Sequence, residues 1–319
     1  MRANDSRRNF NAAAFAILAG CGRGHRKTIA VIPKANADLF FITVRTGAEG
    51  AARDLHVSLN WSGPDVETDY SRQIGIVDSM ITQRVNALAI SATDDRALVD
   101  PVERVIRAGI PVTIFDSAVN IDNYVSLIAT DNHAAGCTAA RQLGGLLPQK
   151  STIAMMMQKP GGVSTELRER GFEETLRSEF PRLTIIARQY GMGDRARSMG
   201  IAENILAAHP GLGGIFASSE ACSIGAIRAI RARGLSGRIK LITFDVSDIH
   251  VEALRDGTAN LMLVQDAYRI GYEAVKSLAM KLAGQSPSRR LDIPARVVTK
   301  ASLELPEVQA LLRPALAAK

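Results

Sequence analysis

The sequence contains few cysteines and no spacing typical of a metal site. Three Cys occur among 319 residues, at positions 21, 137 and 222, and no C-x-x-C motif is present. Cys137 and Cys222 each lie in a helical pattern of small residues, which predicts two separately buried thiols and leaves a disulfide between them open. We therefore expect no metal site and no cofactor.

Long basic runs are also absent. The formal net charge of +7 would suit a nucleic acid or an anionic surface as a partner. However, no Lys/Arg run exceeds three residues, and the aromatic residues, 5% of the chain, are not interleaved with basic ones. The sequence therefore favours a solvated basic surface, and we expect no nucleic-acid partner.

The common catalytic motifs are missing as well. The chain has no G-x-S-x-G, no H-E-x-x-H and no Walker loop, and its five His are scattered. The glycine-rich stretch Gly211–Gly214 precedes a predicted strand instead of linking a strand to a helix, which is the wrong context for a phosphate cradle. We expect a binding protein and no enzyme.

The first 26 residues have the plan of an export signal. Basic residues precede a short apolar stretch, Ala12–Ala19, which is too short to span a bilayer. Leu18–Cys21 resembles a bacterial lipobox, and Ser6–Phe10 resembles a twin-arginine export motif. We expect residues 1–26 to direct export and Cys21 to carry a lipid that anchors a periplasmic protein to the membrane. The alternative is a disordered tail.

A chain of 319 residues exceeds the usual size of one domain, so two lobes are expected. From Lys27 onward, short apolar strands alternate with amphipathic helical periods, which indicates βαβ units and a parallel sheet. The predicted strands of the first half are Thr28–Ile32, Val57–Trp61, Ala87–Ile90, Val112–Phe115 and Val125–Ala129. Those of the second half are Thr152–Met157, Leu183–Arg188, Gly214–Ala217, Lys240–Phe244 and Asn260–Val264. The predicted fold class is α/β, with two similar lobes, each a parallel sheet flanked by helices, and a cleft between them.

Several short phrases resemble one known family in their order and spacing. They are Thr28–Val31, Phe40–Phe41, Ala92–Asp94, Ile110–Val112, Phe115–Asp116, Thr130–Asn132, Arg168–Phe172, Ala208–Pro210, Phe216–Ala217 and Thr243–Asp245. From Lys27 to its end the chain resembles the bacterial periplasmic sugar-binding proteins of the ribose-binding type, the receptors of ABC importers. The resemblance implies the type I periplasmic binding protein fold, in which a three-stranded hinge joins two Rossmann-like lobes.

By this resemblance, the three crossovers fall near Thr130, Gln265 and Ile293. The N-terminal lobe then comprises residues 27–130 plus 266–293, and the C-terminal lobe comprises residues 131–265 plus 294–319. The resemblance also implies a small-molecule sugar or polyol as the ligand and an ABC transporter permease as the partner. A monomer is expected, with membrane anchoring through the lipid alone.

Binding a sugar requires polar groups that both donate and accept hydrogen bonds, and aromatic rings that cover its C–H faces. The sequence offers such side chains at predicted strand ends and in the loops that follow them. The predicted ligand-binding residues are Lys34, Phe40, Phe41, Ser91, Asp116, Arg168, Ser219, Asp245 and Gln265. By resemblance, Phe40 and Phe41 take stacking positions, Asp116 a position that binds sugar hydroxyls, and Arg168 that of the ligand arginine. Cap or hinge roles are expected for Thr93, Asp94, Thr130, Asp131 and Asn132.

The chain departs from ribose-type receptors at several positions. Lys34 and Ser91 replace the usual Ser and Asn. Ser117 replaces an Arg that commonly follows the equivalent of Asp116, and Gly193 stands where a second stacking aromatic is frequent. Ribose itself is therefore not the expected ligand.

The charges of the predicted site leave two ligand classes open. Lys34 and Arg168 together would favour a carboxylate or a phosphate, whereas Asp116 and Asp245 favour a neutral polyol. We favour the neutral sugar or polyol, in which case Lys34 would point to solvent.

Two other functions fit parts of the pattern. A receptor for a sugar acid, sugar phosphate or furanone signal that feeds a sensor kinase or chemoreceptor would show the same features. A regulator of the LacI type shares the fold but would carry a helix-turn-helix of about 60 residues before the first strand. Here 26 residues precede Lys27, and they have the plan of an export signal.

Overall fold

The computed structural model describes residues 26–317, so the predicted export signal and the predicted lipidation site at Cys21 lie outside the described residues. The described chain folds into twelve strands and ten helices. Within this range, no helix is both long and apolar enough to cross a membrane.

Strands and helices alternate along most of the chain. The first elements are β1 (Thr28–Ile32), α1 (Leu39–Asp54), β2 (Ser58–Trp61), α2 (Tyr70–Thr82), β3 (Ala87–Ile90), α3 (Val99–Arg107), β4 (Val112–Phe115) and β5 (Leu127–Thr130). The next are α4 (Asn132–Leu146), β6 (Thr152–Met157), α5 (Val163–Glu179), β7 (Thr184–Tyr190), α6 (Arg195–Ala208), β8 (Leu212–Ala217), α7 (Glu220–Ala232), β9 (Lys240–Phe244), α8 (Asp248–Arg255) and β10 (Leu261–Val264). The last are α9 (Ala267–Leu282), β11 (Arg290–Ile293), β12 (Arg296–Thr299) and α10 (Pro306–Ala317).

The strands form two six-stranded sheets with equivalent strand orders. The first sheet has the order β11-β5-β4-β3-β1-β2, and the second has the order β12-β10-β9-β8-β6-β7. Pairing is parallel throughout the first sheet, whereas β12 lies antiparallel to β10 at one edge of the second. Strands such as β3 and β4 are buried along their whole length because helices cover both faces of the sheet. The predicted α/β class with two lobes is confirmed.

We call the first sheet, with α1, α2, α3 and α9, the first lobe, and the second sheet, with α4 to α8, the second lobe. The chain passes from one sheet to the other after β5, after β10 and between β11 and β12. Helix α10 follows the last crossing, and its Val308 and Leu312 pack into the core of the second lobe.

Two glycines let α4 and α5 pack closely, and this packing positions the predicted site residue Arg168. A Cβ on Gly136 would lie 1.9 Å from the carbonyl oxygen of Arg168, and a Cβ on Gly171 would lie 2.2 Å from that of His133. The helix backbones can approach this closely only where both positions lack a side chain. This packing holds the first turns of α5 against the start of α4, where Asn132 lies.

Two features of the fold differ from the sequence prediction. Strands β11 and β12 and helix α10 were not among the predicted elements. Each of the two strands has a single fully buried residue and so lacks the buried apolar run of the other strands. Cys222 is buried as predicted, but Cys137 is partly exposed, and both thiols are free. The expectation of two buried thiols is therefore wrong for Cys137.

Candidate ligand-binding site

A cavity lies where the carboxyl ends of the two sheets face each other. It contains about 460 Å³ of space free of protein atoms, a volume that includes space open to solvent. Its wall is formed by Lys34, Asp38, Phe40, Phe41, Glu67, Asp116, Gln158, Ser164, Thr165, Arg168, Gly193, Ser219, Glu220, Ala221, Asp245 and Gln265. Eight of the nine predicted ligand-binding residues are in this wall, and Ser91 is not.

Two carboxylates face the cavity from equivalent strand ends. Asp116 follows β4 and Asp245 follows β9, and both have a left-handed backbone, with φ of 57° and 70°. Asp is one of the few residues that adopt this conformation at modest cost. Asp116 accepts a hydrogen bond from Ser91 Oγ at 2.8 Å, and Asp245 accepts one from Gln265 Nε2 at 2.7 Å. Ser91 therefore holds Asp116 from behind the wall.

Lys34 is buried in the cavity wall, with 4% of its surface exposed. Its Nζ lies 3.2 Å from Asp116 and 3.6 Å from Glu67, and it donates to Ser164 Oγ at 3.3 Å. Burial alone would lower the pKa of Lys34, but Asp116 and Glu67 outweigh burial, and the pKa is raised. The alternative in which Lys34 points to solvent is therefore wrong, and its positive charge is already paired within the protein.

Arg168 is the largest fully buried side chain of the site. Its Nη2 and Nε donate to Asn132 Oδ1 at 2.7 and 3.2 Å, its Nη1 donates to the carbonyl of Ser218, and its guanidinium lies 3.4 Å from the centre of the Phe244 ring. Burial lowers the pKa of Arg168, while Asp245 and Asp116 act in the opposite direction. The guanidinium is thus fixed in one orientation before any ligand arrives.

Phe40 and Phe41 supply the aromatic part of the wall. Their ring centres are 5.0 Å apart and the ring planes make an angle of 85°, an edge-to-face contact. Phe41 is almost completely buried and also belongs to the core of the first lobe, whereas Phe40 is partly exposed. On the opposite side Gly193 contributes only backbone to the wall.

Ser219 and Gln265 complete the predicted set. Ser219 Oγ donates to Gln158 Oε1 at 2.5 Å and accepts from the backbone N–H of Cys222, so it also caps α7. Gln265 Nε2 is engaged by Asp245, but its Oε1 is buried without a hydrogen-bond partner. A buried acceptor without a donor costs about 1–3 kcal/mol, so Gln265 is prepared for a donor from outside the protein.

Further polar residues of the wall were not predicted. They are Asp38, Glu67, Gln158, Ser164, Thr165 and Glu220. Gln158 directly follows β6, so the rule that located Asp116 and Asp245 would have found it. Glu67 lies in the loop between β2 and α2, several residues after the strand ends, and no sequence signal marks it.

Direct contacts hold the two lobes together beside the cavity. Gln158 Nε2 of the second lobe donates to Glu67 Oε2 of the first at 3.1 Å. Lys159 Nζ donates to the carbonyl of Thr93 at 2.5 Å, and the backbone N–H of Asp95 donates to the carbonyl of Gly161 at 3.3 Å. The structure is therefore a closed form, in which the lobes touch around the site.

Of the five residues given cap or hinge roles, Asp131 and Asp94 accept from backbone N–H groups, whereas Thr93 donates to Gln73 and Asn132 accepts from Arg168. Asp131 accepts from the N–H of Ala134 and caps α4, and Asp94 accepts from the N–H groups of Arg96 and Ala97. Among residues 26–317, no group of three or more His, Cys, Asp and Glu is arranged to hold a metal ion.

A family model described as a periplasmic binding protein domain matches residues 29–286. The D-ribose/D-allose-binding protein of Pseudomonas aeruginosa is 29% identical over 282 residues, which cover 83% of this chain and 85% of that protein. The ribose import binding protein RbsB of Bacillus subtilis is 27% identical over 263 residues, which cover 82% of this chain and 83% of that protein.

Two solved structures are similar over almost their whole length. A carbohydrate transporter solute-binding protein from Agrobacterium radiobacter, in complex with D-arabinose, has a TM-score of 0.88 and 29% identity, covering 90% of this chain and 99% of that one. An ABC transporter solute-binding protein from Agrobacterium vitis with bound D-fucose has a TM-score of 0.87 and 31% identity, covering 89% and 99%. The family model spans most of the sequence, and this chain belongs to the periplasmic binding protein family.

Proposed function

We propose that this chain is an extracytoplasmic solute receptor that encloses a sugar or polyol between its two lobes and delivers it to an ABC importer. The observation that carries the proposal is the mixed wall of the cavity, where Asp116, Asp245 and Arg168 converge from both lobes. A hydroxyl both donates and accepts hydrogen bonds, so a polyhydroxylated ligand matches carboxylates and a guanidinium at the same time. The rings of Phe40 and Phe41 cover a C–H face.

The similar proteins support this ligand class. The names of the Pseudomonas and Bacillus relatives specify ribose or allose, and the two Agrobacterium structures hold D-arabinose and D-fucose. These are all monosaccharides without an acid group. We propose the same class, monosaccharides without an acid group, for this chain, but we do not assign it any one of these sugars.

The charges of the wall argue against an acidic ligand. Lys34 is paired with Asp116 and Glu67, and the nitrogen atoms of Arg168 donate to Asn132 and Ser218. Neither cation is therefore free to neutralise a carboxylate or a phosphate. Because a buried unpaired charge is costly, a sugar acid would be rejected relative to its uncharged parent.

Ligand capture is proposed to couple to closure of the lobes. The three crossings after β5, after β10 and between β11 and β12 serve as the hinge, so the lobes comprise residues 27–130 plus 266–293 and residues 131–265 plus 294–319. A ligand held by groups of both lobes binds the closed form more tightly than the open form, which shifts the population toward closure. The closed monomer would then present its surface to a permease.

The proposal places the protein outside the cytoplasm, with Cys21 as its lipid anchor. Replacing Cys21 with Ser should move the protein from the membrane fraction to the soluble fraction of a bacterial host that processes lipoproteins. A wild-type protein that never associates with membranes would overturn the anchor without touching the receptor function.

The receptor function is tested by a thermal-shift screen of residues 27–319 against pentoses, hexoses, amino sugars, polyols, sugar acids and sugar phosphates. A ligand at 100 times its dissociation constant adds about 2.7 kcal/mol of stability. Asp245→Asn should abolish this gain with little change in the unliganded protein, because Asn tolerates the left-handed backbone. Asp65→Asn, at an exposed position, is the control. The receptor proposal fails if no compound stabilises the wild-type protein.

A further inference from the structure

The wall of the cavity carries more acids than bases. Its ionisable members are the carboxyl groups of Asp38, Glu67, Asp116, Glu220 and Asp245 and the cations of Lys34 and Arg168. Behind the wall, Arg195 pairs with Glu220 at 2.6 Å. With Arg195 included, three cations face five acids, so the formal charge around the cavity is negative. Lys159 and Glu169 are buried nearby but are not part of the wall.

The cations of the wall have partners, but some acceptors do not. Lys34 lies within 3.6 Å of both Asp116 and Glu67. The side chain of Asp38, at the start of α1, accepts no capping hydrogen bond from the amides of that helix. Gln265 is 7% exposed, and its Oε1 has no partner. Asp245 fixes the orientation of this amide, since the opposite orientation would place two oxygens in contact. A ligand in this cavity must therefore supply hydrogen-bond donors to these acceptors.

Asp38 lies in a corner of the cavity with an excess of negative charge. Burial above all, together with Glu67 and Glu220, raises the pKa of Asp38 to about 7, while Lys34 and Arg195 act in the opposite direction. Burial also raises the pKa of Glu220, even though Arg195 pairs with it. A positive charge delivered to this corner would remove the repulsion and restore the ionised form of Asp38.

Resting on the proposed receptor function, we infer that the ligand is an amino sugar or amino polyol whose protonated amine binds the carboxylate of Asp38, in the part of the wall that Glu67 and Glu220 also line. An ammonium group offers three donors and a positive charge, whereas a hydroxyl offers one donor and no charge. A metal ion is not the better occupant, since within residues 26–317 no acidic cluster has the arrangement of a metal site. The remaining hydroxyls of the ligand then face Asp116, Asp245, Arg168 and the free Oε1 of Gln265.

The test is isothermal titration calorimetry with matched pairs of ligands. Glucosamine, galactosamine and mannosamine are each compared with the parent hexose and with the N-acetyl derivative, and 1-amino-1-deoxysorbitol is compared with sorbitol. At least one amine should bind tenfold or more tightly than its hydroxyl parent, and its N-acetyl form should bind more weakly than the amine. Asp38→Asn should reduce the preference for the amine at least tenfold, whereas Asp65→Asn in an exposed loop should leave it unchanged.

The pH dependence gives a second readout on the wild-type protein. The pKa of Asp38 in the free protein is raised to about 7, so an ammonium ligand that requires the carboxylate should bind more tightly as pH rises from 5.5 to about 7.5. Binding at pH 6.5 should release protons, and Asp38→Asn should abolish that release.

The outcomes separate the two proposals. If the neutral parent sugars and sorbitol bind as tightly as the amines, this inference is wrong and the receptor function is unaffected. If the Asp38→Asn variant still prefers the amine to the parent sugar, Asp38 does not bind the amine. Failure of every amine to bind overturns this inference, and the receptor function fails only if no compound of the thermal-shift screen stabilises the protein either.

Discussion

Lys34 and Lys159 occupy equivalent positions in the two lobes, and each reaches into the opposite lobe. Lys34 is the second residue after β1, Lys159 is the second after β6, and these two strands have the same place in their sheets. Lys34 Nζ donates to Ser164 Oγ at 3.3 Å, and Lys159 Nζ donates to the carbonyl of Thr93 at 2.5 Å. Each of these two loops is therefore bound to the opposite lobe across the cleft.

Lys159 should contribute to ligand affinity although it is not part of the cavity wall. In Lys159→Met the contact with Thr93 is lost from the closed form only. A hydrogen bond from a charged group contributes about 1.5–3 kcal/mol, so affinity should fall roughly tenfold or more, mainly through faster dissociation. Stopped-flow kinetics and calorimetry measure both quantities. Lys150→Met, at an exposed position, is the control, and equal dissociation rates for the two variants would contradict the role of Lys159.

Gly161 should limit how closely the lobes approach. Its φ is +78°, and a Cβ there would lie 2.4 Å from Asp94 Oδ2 of the first lobe. The Asp94 side chain is held in place because its Oδ1 accepts from the amides of Arg96 and Ala97. Gly161→Ala should therefore obstruct closure and weaken ligand binding at least tenfold. Gly109→Ala is a matched control, because Gly109 has φ of +81° and nothing within 4 Å of the added atom.

Backbone strain should make both glycine variants less stable by roughly 1–2 kcal/mol, and chemical denaturation measures this shared loss. Calorimetry with the ligand found in the screen then isolates the difference in affinity. If Gly109→Ala weakens binding as much as Gly161→Ala, strain and not closure explains the effect.

The sequence predicted the edge of each sheet where the cavity lies, because buried parallel strands are short apolar runs and the residues after them are easily located. Asp116, Asp245 and Gln265 follow directly from that rule.

The remaining features depend on contacts between residues far apart in the chain. Glu67 is in the wall because it meets Lys34 and Gln158 of different loops, and no local pattern encodes that meeting. Ser91 was predicted to touch the ligand, but its position one residue after β3 places its hydroxyl against Asp116. Ligand contact by the other eight residues stays a prediction.

Arg168 should tolerate not even the conservative change to Lys. Lysine keeps the charge but loses the planar fork that bonds Asn132 and Ser218 and stacks on Phe244. Arg168→Lys should lower the free energy of unfolding by about 2 kcal/mol or more and reduce ligand affinity at least tenfold. Denaturant titration and calorimetry test both. Arg170→Lys, two residues along the same helix and exposed, should change neither; a stable, tightly binding Arg168→Lys protein would show that the fork is dispensable.

Glu169 should make the protein less stable as pH rises from acid to neutral. It is 2% exposed, its Oε1 accepts from the N–H of Gln158 and from Ser218 Oγ, and its Oε2 has no partner. Burial raises its pKa from 4.5 to about 7, although these hydrogen bonds and neighbouring Arg168 oppose the change. The folded state thus retains a proton that the unfolded chain loses.

The pKa of Glu169 is raised only in the folded state, so folding favours its protonated form. The resulting stabilisation is fully present below pH 4.5 and is lost as pH rises to about 7. The loss amounts to about 3 kcal/mol. Glu169→Gln cannot ionise. Between pH 4.5 and about 7, its free energy of unfolding should therefore fall by about 3 kcal/mol less than that of the wild type. Urea denaturation at intervals of half a pH unit measures the two curves, with exposed Glu252→Gln as the control. Parallel curves for wild type and Glu169→Gln would mean that Glu169 ionises normally in the fold, and a carboxylate would then have to be accommodated beside Ser218.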